Sequence, residues 1–474
     1  MKRTKIVCTL GPASSKPAVL EQMIKHGMNV ARLNFSHGTY AEHAVLIKNI
    51  RLAAAKVGKI VGLMQDLQGP RIRVGSVHRD GIELVRKESV VLVPNNLINY
   101  KLLTTGNDKI IPIDYPELYK FASVGKHVLI NDGLIDIMIE QVKDKMIFGS
   151  VVRPGIIFSH KGINLPSTNI ITDVITAKDK QDLAFGLKQG IDFVALSFVK
   201  DSADILELRK LLGKHPVQIV AKIERAEAVK NFKHILKVTD GIMVARGDLG
   251  IEINPADVPL LQKSMIQQCL EVGKPVIVAT QMLESMTINP RATRAEVSDV
   301  ANAVIDHTDA VMLSAESAFG KYPVEAVKTM TSIIKETEAS KYDDVPAHYL
   351  KLVQPAIADA ISVIAYDLAQ HAGVKAIVVN SLSGQAARLI ARHRPEKLIA
   401  VLTNHRLTQQ QLTLSWGVEA YLVPTCRTLD KLLQQSVKIM KQRKLVSPGD
   451  KLVLVTGHPV GKTHGANMVK LQEI

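Results

Sequence analysis

Lys222 and Glu224 stand two residues apart at the end of an apolar run, Gln218-Ile-Val-Ala221, that reads as a buried parallel strand. Successive strand residues face opposite ways, so the ammonium and the carboxylate share one face while Ile223 points to the other. A second run, Gly241-Ile-Met-Val-Ala245, ends in Arg246-Gly247-Asp248, with glycine where a backbone must come close to a ligand. The polar stretch between the runs, rich in Glu, Ala and Lys, is long enough for a crossover helix. The two strands are then neighbours, and Lys222, Glu224 and Asp248 lie at the same ends. Such a cluster, without His or Cys, suits a hard, oxygen-ligated cation such as Mg2+ beside an anionic substrate. Charges that only open the following helices would give the same pattern.

The elements that must hold these residues are legible as strand–helix repeats. In 1–70 the pattern predicts strands at Lys5–Leu10, Val30–Phe35 and Ile60–Leu67, with helices at Lys16–His26 and Ala41–Val57, each closed by a glycine. From Arg71 to Asp173 the helical period disappears. Short β-rich runs follow, beginning with Arg71–Val77 and separated by turn signals such as Asn131-Asp132-Gly133. This predicts a small antiparallel barrel inserted into a loop, placed as a lid. The helix Ala177–Gln189 and the strand Phe193–Val199 resume the earlier rhythm. Strands at Pro275–Gln281 and Ala310–Ser314 complete a set of eight over roughly 240 residues, the arithmetic of a (β/α)8 barrel. Polar and glycine residues gather at the C-terminal strand ends, where such barrels keep their chemistry. The expected organisation is α/β: a (β/α)8 TIM barrel from 1–70 and 174–342, a β-barrel lid domain at 71–173, and a C-terminal α/β regulatory domain at 343–474.

Composition narrows the function classes. The chain has 474 residues, 46% hydrophobic and 22% charged, and no apolar run long enough to cross a bilayer. The N-terminal MKRTKIVCTLGP imitates a signal peptide, but its apolar run is short and Gly-Pro follows, so it reads as the first strand. Three scattered cysteines, Cys8, Cys269 and Cys426, point to a reducing compartment and to no zinc site. The net charge of +15 comes from dispersed Lys and Arg, and aromatics make up only 4%, too few for base-stacking platforms. The basic excess therefore fits small phosphorylated anions better than nucleic acid. The late run Gly457-His-Pro-Val-Gly461-Lys462-Thr463 imitates a P-loop, but it is one residue short and no helix is expected to follow.

Read together, the strand ends are Arg32-Leu-Asn34-Phe-Ser36-His37-Gly38, Asp66-Leu-Gln-Gly-Pro70, Lys222-Ile-Glu224, Ala245-Arg246-Gly247-Asp248-Leu249-Gly250, Ala279-Thr280-Gln281-Met282-Leu283-Glu284-Ser285-Met286 and Ser314-Ala315-Glu316. In that order, with a β insert after the third strand, the chain resembles the pyruvate kinases over essentially its whole length. The resemblance implies transfer of the phosphoryl group of phosphoenolpyruvate to ADP, giving pyruvate and ATP, with Mg2+ or Mn2+ as cofactor. By the same resemblance Glu224 and Asp248 hold the metal, and Lys222 neutralises charge on the phosphoryl group and the enolate. Amides around Gly247 and Asp248, with the Thr280 hydroxyl, hold the substrate carboxylate. Arg32 and Arg73 grip phosphates, and Asn34, Ser36, His37, Arg73 and Lys178 match positions that touch the nucleotide. Thr280, Ser314 and Glu316 match a proton relay. A homotetramer, a cytoplasmic location and allosteric control are implied as well.

Departures from the family pattern set further expectations. One group of the family carries a Glu two residues before the phosphate-gripping arginine, together with a bound K+; another carries Lys there and works without K+. Here Arg71 holds that place, and Leu67, Gln68 and Val74 resemble the second group, so K+ is expected not to be required. Its formal site would be Asn34, Ser36, Asp66 and the Leu67 carbonyl. Arg71 and Arg73, two apart on a strand, should leave one face and set a guanidinium near Asp66. In the loop Ser381, Ser383, Gly384 and Gln385, glutamine replaces the arginine of some relatives. A sugar monophosphate or AMP is expected there rather than a bisphosphate, with an ordinary helix cap as the alternative. An Mg2+-dependent lyase or aldolase on the same barrel is the competing activity; it needs neither ADP nor a lid.

Overall fold

The computed structural model describes residues 2–97, 109–166, 173–343, 356–460 and 465–474. The linker at 345–346 and positions 461–463 of the late glycine-containing run lie outside the described residues. Eight parallel strands close into a barrel: β1 (Lys5–Leu10), β2 (Val30–Asn34), β3 (Gly62–Asp66), β4 (Phe193–Leu196), β5 (Gln218–Ile223), β6 (Gly241–Ala245), β7 (Val276–Ala279) and β8 (Ala310–Leu313), with β8 pairing back to β1. Below the mouth, the strands are apolar on both faces because one packs on helices and the other on the barrel interior. In β1, Ile6, Cys8 and Leu10 face the helices, while Val7 points inward. The interior layer is built from Val7, Val30, Met64, Ala195, Val220, Met243, Ile277 and Ala310.

The outer helices begin and end where local chemistry says they should. Thr39, Thr176 and Thr293 each accept a hydrogen bond from the amide three residues on, and the Glu or Asp at that position returns it. The single crossover helix expected between Lys222 and Gly241 is broken into Ala226–Lys230 and Phe232–Val238. The break falls at Asn231, whose side chain donates to the Lys200 carbonyl and ties the chain to the preceding loop.

The insert forms a curled six-stranded sheet in the order Ile163–Asn164, His127–Ile130, Ile135–Lys143, Met146–Arg153, Ser89–Pro94, Lys109–Ile113, beside a two-stranded ribbon of Ile82–Leu84 and Gly155–Ile157. Its last pair runs parallel, so the pairing is mixed where an all-antiparallel arrangement was expected. Arg71–Val77 is not a strand. It meets the sheet only through isolated bridges, Arg73 with Gly162 and Val74 with Ile113. The Arg73 amide donates to the Asp114 carboxylate, a side-chain partner that replaces a ladder bond. Leu92, Ile111, Val128, Ile137 and Ile147 give the insert a core of its own.

After the barrel comes a five-stranded sheet in the order Val418–Leu422, Leu398–Thr403, Ala376–Asn380, Lys451–Thr456, Met468–Glu473, parallel except for the last strand. It docks on the barrel floor. Leu414 enters the interior layer from below and joins Val7, Met64 and Phe193. Buried Trp416 lies under both Arg394, 4.9 Å from its ring, and Arg3, at 5.2 Å. Asp309 accepts from Arg394 (3.2 Å) and from the Trp416 amide (3.3 Å).

Asp192, just before β4, is buried at this floor and accepts the Leu63 amide at 2.8 Å. Burial pushes its carboxyl up to about 7, although the Leu63 bond and the charges of Arg51 and Arg406 oppose it. The folded chain thus keeps this proton over a range where the unfolded chain has lost it. Stability should fall as pH rises from about 4 through about 7, by up to about 4 kcal/mol. Asp192→Asn keeps an acceptor for Leu63 and should be more stable than wild type at pH 8 but not at pH 4, measured by urea unfolding. An equal change at both pH values would refute this assignment.

Candidate active site

The strand period that fills the barrel also builds its mouth. Two residues beyond the inward-facing apolar layer, on the same face, come Thr9, Arg32, Asp66, Ser197 and Lys222. Asp66 binds both cations: one oxygen accepts from Arg32 Nε at 2.6 Å, the other lies 3.3 Å from Lys222 Nζ. Arg32 also donates to Thr9 Oγ1 at 2.7 Å. Lys222 Nζ reaches Glu224 Oε1 at 2.8 Å and Ser197 Oγ at 2.7 Å. The second Glu224 oxygen accepts the Phe198 amide at 2.6 Å. Lys222 and Glu224 share a face as their spacing predicted, and Ile223 packs outward.

Burial and charge set the ionisation of this cluster. Burial alone would raise Asp66, but Arg32 and Lys222 outweigh it and hold the carboxyl below the usual range. Burial would lower Lys222, yet Asp66 and Glu224 raise it, so the ammonium stays charged. Glu224 is pushed up by burial and by the charge of Asp248, against the pull of Lys222. Glu224 and Asp248 lie just past the C-terminal ends of the paired strands β5 and β6. Together they offer hard oxygen donors to a divalent cation. Among the described residues no group of three or more His, Cys, Asp or Glu gathers as a metal site, so substrate and water oxygens would have to complete the coordination.

On the Asp248 side of this centre a cleft of about 740 Å³ is lined by Arg71, Asp132, Gly247, Asp248, Thr280 and Ser314, among others, while Arg32, Asp66, Lys222 and Glu224 do not line it. Asp132, at a turn of the insert, makes the insert part of the cleft wall. Arg71 pairs with Asp132 at 3.1 Å and with Asp248 at 3.8 Å, whereas the ion pairs of Asp66 are with Arg32 and Lys222. This corrects the expectation that Arg71 stands beside Asp66. Without a strand at Arg71–Val77, alternation does not aim its guanidinium there. Arg73 donates to the His160 carbonyl at 3.0 Å. Desolvation, and then the charges of Arg73, Arg71 and Arg32, hold His37 below its ordinary range.

Thr280 accepts the Gly247 amide at 2.8 Å, joining the ends of β6 and β7. It sits at φ +72°, a strained conformation for a β-branched residue. Asn34 spends its side-chain oxygen on the Ser36 amide, and Lys178 bonds the Phe35 carbonyl (2.7 Å) and Asp182 (2.6 Å). The expected relay pair is divided. Ser314 lines the cleft, while buried Glu316 uses both oxygens to accept the Leu283 and Ser314 amides. Ser381, Ser383 and Gln385 lie far along the chain, on a separate cavity of about 540 Å³ in the C-terminal sheet domain, while the Gly384 amide is already capped by Ser381 Oγ.

Two groups went unassigned in the sequence. Ser197 was read only as the end of a strand. Arg246 holds Asp299 through both terminal nitrogens at 2.7 Å and donates to the Thr280 carbonyl at 2.7 Å, clamping the strained turn. Nothing in their spacing marks the pairing, because Asp299 lies 53 residues further on, in the helix Arg294–Ile305.

A closed parallel barrel with cations and carboxylates at its C-terminal mouth, beside an inserted sheet domain, has the layout of a barrel enzyme. The family models for the pyruvate kinase barrel domain and for the pyruvate kinase alpha/beta domain match residues 1–327 and 359–472. The pyruvate kinase of Geobacillus stearothermophilus is 43% identical over all of this chain and 80% of its own length. Those of Sporosarcina psychrophila, 41% identical, and Staphylococcus saprophyticus, 43% identical, are covered to 81% and 80%. The chain belongs to the pyruvate kinase family. It is a phosphotransferase acting between phosphoenolpyruvate and ADP, and the lyase reading is not favoured.

Proposed function

We propose that the chain performs this transfer with Glu224 and Asp248 holding Mg2+, and that the cluster of Lys222, Glu224, Asp66 and Arg32 is the catalytic centre. The placement of the two carboxylates just past the C-terminal ends of the paired strands β5 and β6 carries the reading, since a divalent cation there meets an anionic oxygen from each. Bound there, the ion supplies Lewis-acid polarisation of phosphoryl and enolate oxygens. Lys222, fixed by three acceptors, presents a permanent positive charge where the bridging oxygen becomes an enolate. Arg32, Arg73 and His37 bind phosphate oxygens, and Lys178, Asn34 and Ser36 shape the nucleotide side. The Gly247 and Asp248 amides with Thr280 orient the substrate carboxylate, and Thr280 passes the final proton through water with Ser314. Glu224→Gln and Asp248→Asn should each remove more than nine-tenths of turnover at saturating Mg2+, a loss above about 1.4 kcal/mol, while unfolding stays cooperative. Retention of wild-type turnover in either variant would defeat the ligand assignment.

Independence from K+ belongs to the same reading. The groups of the formal monovalent site are already engaged: Asn34 with the Ser36 amide, Asp66 with Arg32 and Lys222, and the Leu67 carbonyl with the Ser197 hydroxyl at 2.7 Å. Turnover in tetramethylammonium buffer should change less than about twofold as K+ is added at constant ionic strength. Steep activation by K+ would contradict this.

The C-terminal cavity supports an effector with one phosphate, a sugar monophosphate or AMP, in an oligomeric, cytoplasmic enzyme; a homotetramer is the assembly the family pattern suggests. Ribose 5-phosphate or AMP should lower the phosphoenolpyruvate concentration at half-maximal rate more than fructose 1,6-bisphosphate does. No response to any of the three would leave Ser381 as a plain cap.

A further inference from the structure

Ser197 follows β4 and is buried, with its hydroxyl at the centre of the charged cluster. It has one proton to give. The Leu67 carbonyl, at 2.7 Å, takes it in preference to Asp66 Oδ1, at 3.3 Å, so a lone pair is left facing Lys222 Nζ at 2.7 Å. The next residue, Phe198, is in the left-handed region at φ +57°, and this turns its amide onto Glu224 Oε2. The turn is itself packed from below. Gly69 lies against it at φ +68°, and a Cβ there would come 2.9 Å from the Phe198 ring. One turn thus grips the ammonium by a side chain and the neighbouring carboxylate by a backbone N–H.

We propose that Ser197 is a positioning residue for Lys222: its hydroxyl, oriented by the Leu67 carbonyl, fixes the direction of the ammonium. Of the three acceptors around Nζ, the two carboxylates also serve other partners, Arg32 in one case and the Phe198 amide in the other. Ser197 is the neutral one, and its aim is set by the backbone. Removing it lets the ammonium swing between Asp66 and Glu224, which misplaces the charge in the transition state with little effect on the affinity for substrate.

This inference rests on the catalytic role proposed for Lys222, and the test separates the two. Loss of phosphoryl transfer in Lys222→Met tests that role. Ser197→Ala tests the positioning: kcat should fall at least fivefold while KM for phosphoenolpyruvate stays within threefold, with Ser197→Cys, a weaker acceptor of similar size, falling in between. If the alanine variant does not fold, the cysteine variant carries the test with a threshold of twofold. A double-mutant cycle supplies the readout that a merely structural role would not give. Ser197→Ala should lower proton exchange at the methyl carbon of pyruvate more than twofold when Lys222 is present and leave it unchanged within twofold in a Lys222→Met background. A smaller fall in kcat, a matching rise in KM, or the same fold loss in the Lys222→Met background would overturn the proposal.

Discussion

Asp66 holds two cations at the top of an otherwise apolar barrel, and the geometry of the mouth depends on it. Burying Arg32 and Lys222 without a counter-ion would cost several kcal/mol for each. One carboxylate with an oxygen for each of them offsets that cost and fixes the separation between the two. The arrangement works only if β2, β3 and β5 are in register. Arg32 stands level with Met64 and Asn34 level with Asp66, so the Arg32 side chain crosses one step of the ladder to reach its partner. A slip of one residue would turn Asp66 outward into the helix layer and leave both cations unpaired. The ion pairs and the register therefore reinforce one another.

The same period of two explains how much of the site was legible. Lys222 and Glu224 could be placed on one face because the strand beneath them is a plain apolar run. That inference needs no knowledge of the partner strand. Helix limits at Ala177–Gln189 and the strand Lys5–Leu10 were legible for similar reasons, since caps and apolar runs are local signals. Contacts across the barrel were not. Asp66 was foreseen only in a formal cation site, and its bond to Lys222, 156 residues away, has no local mark. Arg71 shows the opposite error. Alternation was applied to Arg71–Val77, but that segment takes its partners from the Asp114 side chain and two bridges, so the rule had no strand to act on.

The C-terminal domain packs on the catalytic one through the barrel floor. Leu414 completes the same interior layer on which the polar residues of the mouth rest, so the two ends of the barrel share one packed column. Arg394 and Trp416 connect Asp309, at the start of β8, to the helix Gln385–Ala391 that borders the C-terminal cavity. A change in that cavity meets a close-packed floor, which transmits displacement better than a fluid one would. Whether a ligand uses this route depends on its differential affinity for two states of the floor, because packing alone supplies a path without a bias.

Strain at the mouth follows the same logic of over-determination. Thr280 and Gln281 both have positive φ, at +72° and +54°, and neither residue type favours it. Such a turn costs of order 1–3 kcal/mol per residue and persists only where its surroundings impose it. Here Arg246 supplies the constraint. Its fork grips Asp299, while the same guanidinium reaches the Thr280 carbonyl and the Ala279 carbonyl, at 2.7 and 3.3 Å. With its backbone held in this way, Thr280 can present its hydroxyl to the Gly247 amide beside the cleft. A relaxed turn would satisfy the backbone but aim the side chain elsewhere. The strain is thus the consequence of placing a hydroxyl between the ends of two strands, and a bidentate ion pair in the wall of the same cleft maintains it.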